Sequence, residues 1–430
     1  MKLVFMEILM RYDEMTTVQL ENLLNEELAK YEGYKSMNLA LDMARGKPNA
    51  SQIDMAMSLL DSTRDFGKGA GDLRNYGMLD GVDGIRKLFA DLLGVDKEEV
   101  IAMGNSSLNI MYDMIQRAMQ FGVYGGEGAW NGKKVKFLCP VPGYDRHFAI
   151  TELFGIEMIN IPMLPTGPDM DMVEELVSSD ESVKGMWCVP KYSNPDGITY
   201  SDDTVRRLAG LKPKSKDFRI FYDNAYIVHD VFDTKDELLN IFDECKKVGS
   251  EDMIYEFVST SKMTFPGSGV AAVAMSRANV EYTNKLLGIQ TIGPDKINQV
   301  LHLAFFKDVD NLKAHMSKHA SLLRPKFEIV LEALAQFEGS GMLEYVKPNG
   351  GYFISINTID GCAKEVVRLC QEAGVKLTPA GSSFPYKLDP RDRNIRLAPS
   401  YPTENDLRMA RAVLVNCIKI ASYRSELAKR

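Results

Sequence analysis

The sequence predicts an α/β fold built on a mostly parallel, mixed sheet flanked by helices. Apolar runs of strand length end near residues 103, 139, 189, 222 and 258, and each leads into polar residues. After the first run, Leu108, Met111, Ile115 and Met119 repeat at helical spacing, as expected of a helix packed on a sheet. With 430 residues the chain exceeds one typical core, so we expect two domains.

The polar residues that follow these runs are of the kinds that bind ligands. They are Ser106 and Ser107, Tyr144, Asn194, Asp223 and Lys262. Each has an ordinary explanation, since residues 194–197 form a turn sequence and Asp223 could cap a helix. In open α/β sheets, however, ligands bind outside the carboxyl ends of the strands. Five such strand ends together predict one convergent pocket.

Lys262 is the most informative of these residues. It follows the apolar run 253–258 through Ser259, Thr260 and Ser261. Burying an ammonium group is costly, so a buried lysine needs a partner or gives up its charge. One chemical solution is an imine with a carbonyl cofactor, and the nearby hydroxyls would suit a phosphate. The ordinary alternative is a solvated surface lysine, which most lysines are.

Charge and composition argue against several classes of protein. The 59 acidic residues outnumber the 51 basic ones, which disfavours binding to nucleic acid or to an anionic membrane surface. We expect no membrane span, because no run of 18 apolar residues occurs, and the N-terminus lacks the features of a secretory signal. The six cysteines show no metal-binding spacing, so we expect reduced thiols, no metal site and a cytoplasmic location.

From about residue 38 to the C-terminal helix, the chain resembles the fold-type I, pyridoxal 5'-phosphate-dependent aminotransferases of class I/II. The motifs are an Asn-Pro-x-Gly turn at 194–197, Asp-x-Ala-Tyr at 223–226, Ser-x-Ser-Lys at 259–262 and the late Arg396. Residues 44–48 and 102–108 are most similar to a bacterial branch of aspartate aminotransferases. The resemblance implies a large cofactor-binding domain at 66–315. A smaller α+β domain would combine residues 1–65 and 316–430.

The resemblance also implies the residues that hold and activate pyridoxal phosphate. Lys262 would form the internal aldimine and then shuttle a proton, while Asp223 would keep the pyridine nitrogen protonated. Asn194 and Tyr226 would donate to the ring hydroxyl oxygen, and Tyr144 would stack on the ring. Lys262, Asp223 and Tyr226 form the expected catalytic set.

A histidine follows Tyr144 at the position of a family residue that supports the aspartate. This residue, His147, is either such a partner of Asp223 or a core histidine whose hydrogen bonds are satisfied elsewhere. The sequence leaves the two alternatives open.

Phosphate binding is expected at two loops and across a subunit boundary. The implied contacts are Asn105, Ser106, Ser107, Ser259 and Ser261. A serine-rich loop that opens a helix suits an anion, although an ordinary capped helix has the same sequence.

The family tyrosine that reaches the neighbouring subunit's phosphate matches Tyr76, which implies a homodimer with shared active sites. A turn tyrosine beside glycines is the ordinary alternative. Gly269 stands where the family usually has a phosphate-binding arginine, and Lys296 is one candidate for the missing charge.

Substrate binding is assigned by the same comparison. Arg396 matches the arginine that grips the α-carboxylate, a task suited to the bidentate guanidinium fork. The implied substrate contacts are Arg396, Asn194, Gly46 and Arg45. A second cation for a side-chain carboxylate could be Arg45, Lys47 or Arg146. Each of these three could equally be a solvated loop charge.

The implied activity is transfer of an amino group from an amino acid to a 2-oxo acid, with aspartate and 2-oxoglutarate as the expected pair. Alternatives on the same fold are an aminotransferase for aromatic or other amino acids and a carbon–sulfur β-lyase. A binding protein or regulator that kept the fold is a third. The joint presence of Lys262, Asp223 and Arg396 argues against it, because a binding protein has no need of the lysine.

Overall fold

The computed structural model describes residues 11–67 and 71–430. The strands are β1 (Leu41–Asp42), β2 (Val100–Ala102), β3 (Lys136–Val141), β4 (Glu157–Leu164), β5 (Gly167–Pro168), β6 (Val183–Cys188), β7 (Arg219–Asp223), β8 (Ile254–Ser259), β9 (Ala271–Ala274), β10 (Leu343–Tyr345), β11 (Ile354–Thr358), β12 (Val375–Lys376) and β13 (Asn394–Leu397). The helices are α1 (Thr17–Ser36), α2 (Ala50–Asp54), α3 (Asp83–Leu93), α4 (Ser107–Phe121), α5 (Asp145–Leu153), α6 (Met170–Ser179), α7 (Asp202–Ala209), α8 (Ile241–Val248), α9 (Arg277–Gln290), α10 (Lys296–Phe306), α11 (Val309–Ala335), α12 (Ala363–Glu372) and α13 (Glu404–Leu427).

An eight-stranded mixed sheet forms the centre of the molecule, in the order β2-β9-β8-β7-β6-β3-β4-β5. The five strands from β8 to β4 in that order run parallel, whereas β9 pairs antiparallel with both β8 and β2, and β5 pairs antiparallel with β4. The predicted α/β class and the mostly parallel mixed sheet are therefore confirmed.

Helices cover both faces of this sheet. On β7, Ile220 and Tyr222 belong to a buried cluster with α3, α6, α7 and α8, whereas Phe221 belongs to a cluster with α4, α5 and α9. Successive strand residues point to opposite faces, so a sheet covered on both sides needs nearly continuous apolar strands. This arrangement leaves the strand ends as the place where polar side chains gather.

A second group of elements combines the two ends of the chain. Strands β10, β11 and β13 form an antiparallel sheet, and β1 pairs parallel with β12. The third buried cluster includes Leu20 and Tyr31 of α1 together with Val366 of α12 and Leu414 of α13. Thr403 caps α13 by accepting from Asp406 N through its side chain. The domain boundaries stay a prediction, and residue 315 lies inside the continuous helix α11.

Helix length and cysteine pairing complete the description of the fold. Within the described ranges, no helix is long and apolar enough to cross a membrane. All six cysteines are buried and free of disulfide bonds.

Candidate active site

The predicted site residues lie where the parallel strands end. Asp223 is the last residue of β7, and Lys262 lies in the turn that begins after Ser259 ends β8. Asn194 follows β6, the other neighbour of β7, and Tyr144 lies between β3 and α5. Lysine and aspartate therefore come from adjacent strands of one sheet.

Asp223 is held by a buried histidine. His147 Nε2 lies 3.1 Å from Asp223 Oδ2, and both side chains are buried. The imidazole stacks on the Trp187 ring, with centroids 4.4 Å apart and planes 10° from parallel. The other carboxylate oxygen, Asp223 Oδ1, is buried and has no hydrogen-bond partner among the described residues. Because an unpaired buried oxygen is costly, this atom marks a place for a cationic donor.

Lys262 is half-buried, with Nζ 4.8 Å from the centroid of the Tyr226 ring. Burial lowers the pKa of Lys262 below its ordinary value, while the charge of Asp223 opposes that shift. The neutral amine that this favours is the form that can add to a carbonyl or accept a proton. Burial raises the pKa of Tyr226 well above its ordinary value, so the phenol stays protonated and can donate.

Two loops meet where the sequence predicts phosphate binding. Ser106 caps α4 by accepting from Leu108 N at 3.2 Å, and Ser107 is buried. Ser259 Oγ donates to Ser261 Oγ at 3.2 Å, and Ser261 Oγ donates to Asn105 O at 3.2 Å. The loops after β2 and β8 are therefore joined through the Ser261 hydroxyl and the Asn105 carbonyl.

The glycine in place of the family arginine is required by this close approach. A Cβ on Gly269 would lie 2.9 Å from Asn105 O and 3.3 Å from Ser261 Oγ. Any side chain at position 269 would push the two loops apart. Lys296 Nζ donates to Gly77 O at 3.1 Å and contacts neither loop by a hydrogen bond.

Arg396 is buried on β13, and within the described residues its guanidinium group donates hydrogen bonds from Nη1. Its Nη1 donates to Asp145 Oδ1 at 3.0 Å and to Asn194 Oδ1 at 3.3 Å. The guanidinium carbon lies 4.8 Å from the centroid of the Phe353 ring. Arg396 Nε is buried and has no hydrogen-bond partner in the described part of the chain. The edge that carries Nε can therefore receive a carboxylate.

Gly46 contributes by lacking a side chain. A Cβ at this position would lie 2.1 Å from Phe353 Cζ, so only glycine lets its segment pack on the ring that supports Arg396. The neighbouring Arg45 is exposed and, like the exposed Arg146, makes no side-chain hydrogen bond or ion pair to any residue within 11–67 or 71–430.

The remaining predicted residues lie at the surface. Lys47 Nζ lies 4.0 Å from the centroid of the Tyr401 ring, which is a cation–π contact. Tyr76 is 79% exposed, so its side chain is not part of the pocket formed by its own chain.

Sequence reasoning missed three residues of the site. Asp145 is the ion-pair partner of Arg396, and its only signal is that it directly follows Tyr144 at a strand end. Trp187 stacks on His147 and Phe353 lies against the Arg396 guanidinium, and as apolar residues in or beside strands both look like ordinary core.

Comparison with known proteins identifies the family. A family model described as aspartate amino-transferase matches residues 15–430. An aspartate aminotransferase of Corynebacterium glutamicum is 44% identical over 425 residues, which cover 96% of this chain and 98% of that protein. A putative aminotransferase of Mycolicibacterium smegmatis is 43% identical over 93% of this chain and 95% of its own.

Solved structures agree with these relatives. An aspartate transaminase from Corynebacterium glutamicum superposes with a TM-score of 0.94 at 42% identity, covering 97% of this chain and all of that one. An α-aminoadipate aminotransferase from Thermus thermophilus, complexed with N-(5'-phosphopyridoxyl)-L-leucine, has a TM-score of 0.72 at 20% identity over 91% of this chain and 94% of its own, and shows the shared fold. The chain is an aminotransferase of fold type I and belongs to the aspartate aminotransferase family.

Proposed function

We propose that this aminotransferase moves an amino group from aspartate to 2-oxoglutarate with pyridoxal 5'-phosphate bound beside Lys262. One observation carries the proposal. The buried polar atoms that lack partners among the described residues include Asp223 Oδ1, an acceptor, and Arg396 Nε, a donor. A protonated pyridine nitrogen complements the first, and a substrate carboxylate complements the second. The 44%-identical relative named aspartate aminotransferase supports the choice of donor.

The described residues fit this cofactor. The unpaired oxygen of Asp223 suits a ring N–H, and the Lys262 amine, whose pKa burial lowers, suits the carbonyl carbon. The joined hydroxyls of Ser259 and Ser261 suit a phosphate. When bound, pyridoxal phosphate supplies a carbonyl for amine exchange and a ring that accepts the electron pair left on the substrate α-carbon.

The protein's own groups then orient the substrate and move protons. The Lys262 amine would take the proton from the substrate α-carbon as a base and return it to a second carbon as an acid, so that one residue serves both positions. Asn194 Oδ1 accepts from Arg396, so its Nδ2 and the Tyr226 hydroxyl would be the donors to the cofactor's ring oxygen. His147 holds the Asp223 carboxylate in place through the 3.1 Å contact between Nε2 and Oδ2.

We propose a homodimer whose partner supplies Tyr76. The supporting observation is an apolar surface, here called the 76–297 patch, formed by the exposed residues Tyr76, Met78, Ile289, Ile292 and Ile297. Its two segments touch, because Lys296 Nζ donates to Gly77 O at 3.1 Å. Contiguous exposed apolar surface of this kind is typical of protein interfaces.

Light scattering tests the dimer. The Ile289→Glu variant places a charge on the patch, and we expect it to be monomeric and to lose cofactor. The matched control is Val18→Glu, which charges an exposed apolar residue on α1 and should leave the dimer intact. A monomeric parent protein would contradict the proposal.

We also propose that the smaller domain combines residues 1–65, of which 1–10 lie outside the described residues, with 316–430 beside the large domain at 66–315. The buried cluster that joins α1 with α12 and α13 supports this division. Six free, buried cysteines support a reducing compartment, the cytoplasm.

Donor specificity is the experiment that tests the function. With 2-oxoglutarate as acceptor, we expect kcat/KM for aspartate and glutamate to exceed that for leucine and phenylalanine by at least about tenfold, or roughly 1.4 kcal/mol. A better rate with phenylalanine or leucine would refute the aspartate assignment and leave the aminotransferase in place. Release of ammonia without an acceptor would instead indicate the β-lyase reaction.

Variants locate the second cation. Arg396→Ala should impair aspartate and alanine alike, because every amino acid has an α-carboxylate. Neutralising the cation that binds the side-chain carboxylate should raise KM for aspartate far more than for alanine. Arg45, Lys47 and Arg146 are the candidates, each replaced singly by glutamine or methionine.

A further inference from the structure

Three of the five histidines lie behind the turn that carries Lys262. His302 on α10 has its Nε2 2.9 Å from Thr264 Oγ1, and His315 on α11 has its Nε2 2.8 Å from Met263 O. His319, one helical turn after His315, has its Nε2 3.1 Å from His315 Nε2. Burial lowers the pKa of all three below the ordinary value, to about 3 for His319. Each imidazole is therefore neutral, with one N–H and one lone pair.

Gln52 fixes which nitrogen of His319 carries the proton. It is fully buried in α2, and its Oε1 accepts from Asn49 N at 3.2 Å. Its Nε2 lies 3.1 Å from His319 Nδ1 and donates to Tyr352 Oη at 2.9 Å. Because the oxygen is bound to a backbone N–H, the amide cannot flip without losing that bond. His319 Nδ1 must therefore accept, which places the imidazole proton on Nε2, toward the lysine turn.

Both branches from Gln52 end on backbone carbonyls of that turn. One branch passes through His319, whose Nε2–H is directed at the Met263 backbone, where His315 Nε2 also donates to Met263 O at 2.8 Å. The other passes through Tyr352, whose hydroxyl donates to Lys262 O at 3.4 Å. The segment that carries Gly46 and Gln52 is far in sequence from the turn. These hydrogen bonds connect the two through the side chains of His319 and Tyr352.

We propose that Gln52 is a positioning residue for the Lys262 amine, acting through His319 and Tyr352 on the turn that carries the lysine. The inference rests on the proposed role of Lys262. The titratable groups that face the amine are Asp223, Tyr226 and His229. The position of the turn sets the distance from Nζ to these groups, and thereby the proton affinity of the lysine nitrogen.

The test is a pH titration of the bound cofactor's absorbance in the holoenzyme, which reports the proton on the lysine-bound nitrogen. Gln52→Met keeps side-chain length and neutrality but removes the amide donor. We expect its apparent pKa to shift by about one unit or more, a tenfold change in the proton equilibrium. We also expect kcat to fall at least about tenfold while KM for aspartate changes less than about threefold, since the substrate contacts remain.

Two further variants separate positioning from local stability. Asn49→Ala removes the other half of the helix cap, the bond from Gln52 N to Asn49 Oδ1 at 3.0 Å, and keeps the Gln52 amide. It should titrate like the parent protein. Tyr352→Phe removes only the hydroxyl on Lys262 O and should shift the titration in the same direction as Gln52→Met. It also keeps the test valid if Gln52→Met does not fold.

The outcomes distinguish this inference from the proposed function. Parent-like titration of both Gln52→Met and Tyr352→Phe overturns the inference alone. An equal shift in Asn49→Ala also overturns it, because loss of the cap would then explain the effect. If the parent holoenzyme shows no titrating cofactor on Lys262, the proposed function and the inference fail together.

Discussion

Replacing Asp145 with asparagine should tighten the binding of carboxylates at Arg396. The Asp145 carboxylate accepts from Arg396 Nη1 at 3.0 Å, while Nε of the same guanidinium is free for a ligand within the described structure. Asparagine keeps an oxygen for the Nη1 bond and removes the negative charge. The arginine would then present its full charge to the substrate carboxylate, and the repulsion between the two carboxylates would disappear.

The size of the effect follows from the geometry of the guanidinium. A carboxylate on its free edge lies roughly 7 Å from the Asp145 charge, which gives about 1 to 2 kcal/mol of repulsion at an effective dielectric of about 20 to 40. The Asp145 side chain is 35% exposed, so solvent screening favours the lower end of that range. We expect about 1 kcal/mol, or roughly fivefold tighter binding.

The assay is the dissociation constant of succinate, an unreactive dicarboxylate, measured from the absorbance of the bound cofactor. The control is Asp360→Asn, which removes a carboxylate paired at 3.0 Å with Arg391 at an exposed position. The control should bind succinate like the parent, and the gain in Asp145→Asn should shrink as salt is added. Weaker or unchanged binding in Asp145→Asn would refute the reasoning, because it would mean that Asp145 helps the ligand.

Three other variants probe separate parts of the site and fold. Asp223→Asn should lower turnover by about a hundredfold or more while most of the cofactor stays bound, because the ring nitrogen loses its anionic partner; near-normal turnover would remove Asp223 from the mechanism. Gly46→Ala should raise KM for aspartate at least about tenfold, because its Cβ would lie 2.1 Å from Phe353 Cζ; an unchanged KM in steady-state kinetics would separate this segment from substrate binding. Burial raises the pKa of Glu256 from 4.5 to about 7, so the folded protein binds this proton more tightly than the unfolded chain does. The contribution of the protonated carboxyl to folding stability is fully present below pH 4.5 and is lost as pH rises through 7. Between pH 4.5 and pH 8, the free energy of unfolding of Glu256→Gln, measured in urea, should therefore rise relative to that of the parent by up to about 3 kcal/mol. Parallel pH dependences of the two unfolding free energies would contradict this.

The parts of the fold that follow from local pattern were predictable. Apolar runs followed by polar residues indicated the central strands and placed Lys262, Asp223 and Asn194 at their ends. Such patterns extend over only a few neighbouring residues, so the sequence alone shows them. One boundary was wrong. Strand β3 was expected to end at Cys139, before a proline, but continues to Val141. Beyond Leu138 it pairs only with β4, so the missing N–H of Pro140 costs no bond to β6.

Contacts between distant parts of the chain could not be predicted in the same way. Asp145 and Arg396 are 251 residues apart, and Gln52 is 267 residues from His319. No spacing rule joins such pairs, since only the tertiary fold brings them together. The resemblance to a family located Gly46, but the reason for a glycine there, the ring of Phe353, is visible only in the structure.

Reduction of the holoenzyme with borohydride identifies the lysine that carries the cofactor. Borohydride fixes a cofactor joined to a lysine nitrogen, and digestion with mass spectrometry then locates it. We predict a single modified peptide, the one containing Lys262, and none from Lys262→Ala. The cofactor's mass on any other lysine, such as Lys296, would contradict it.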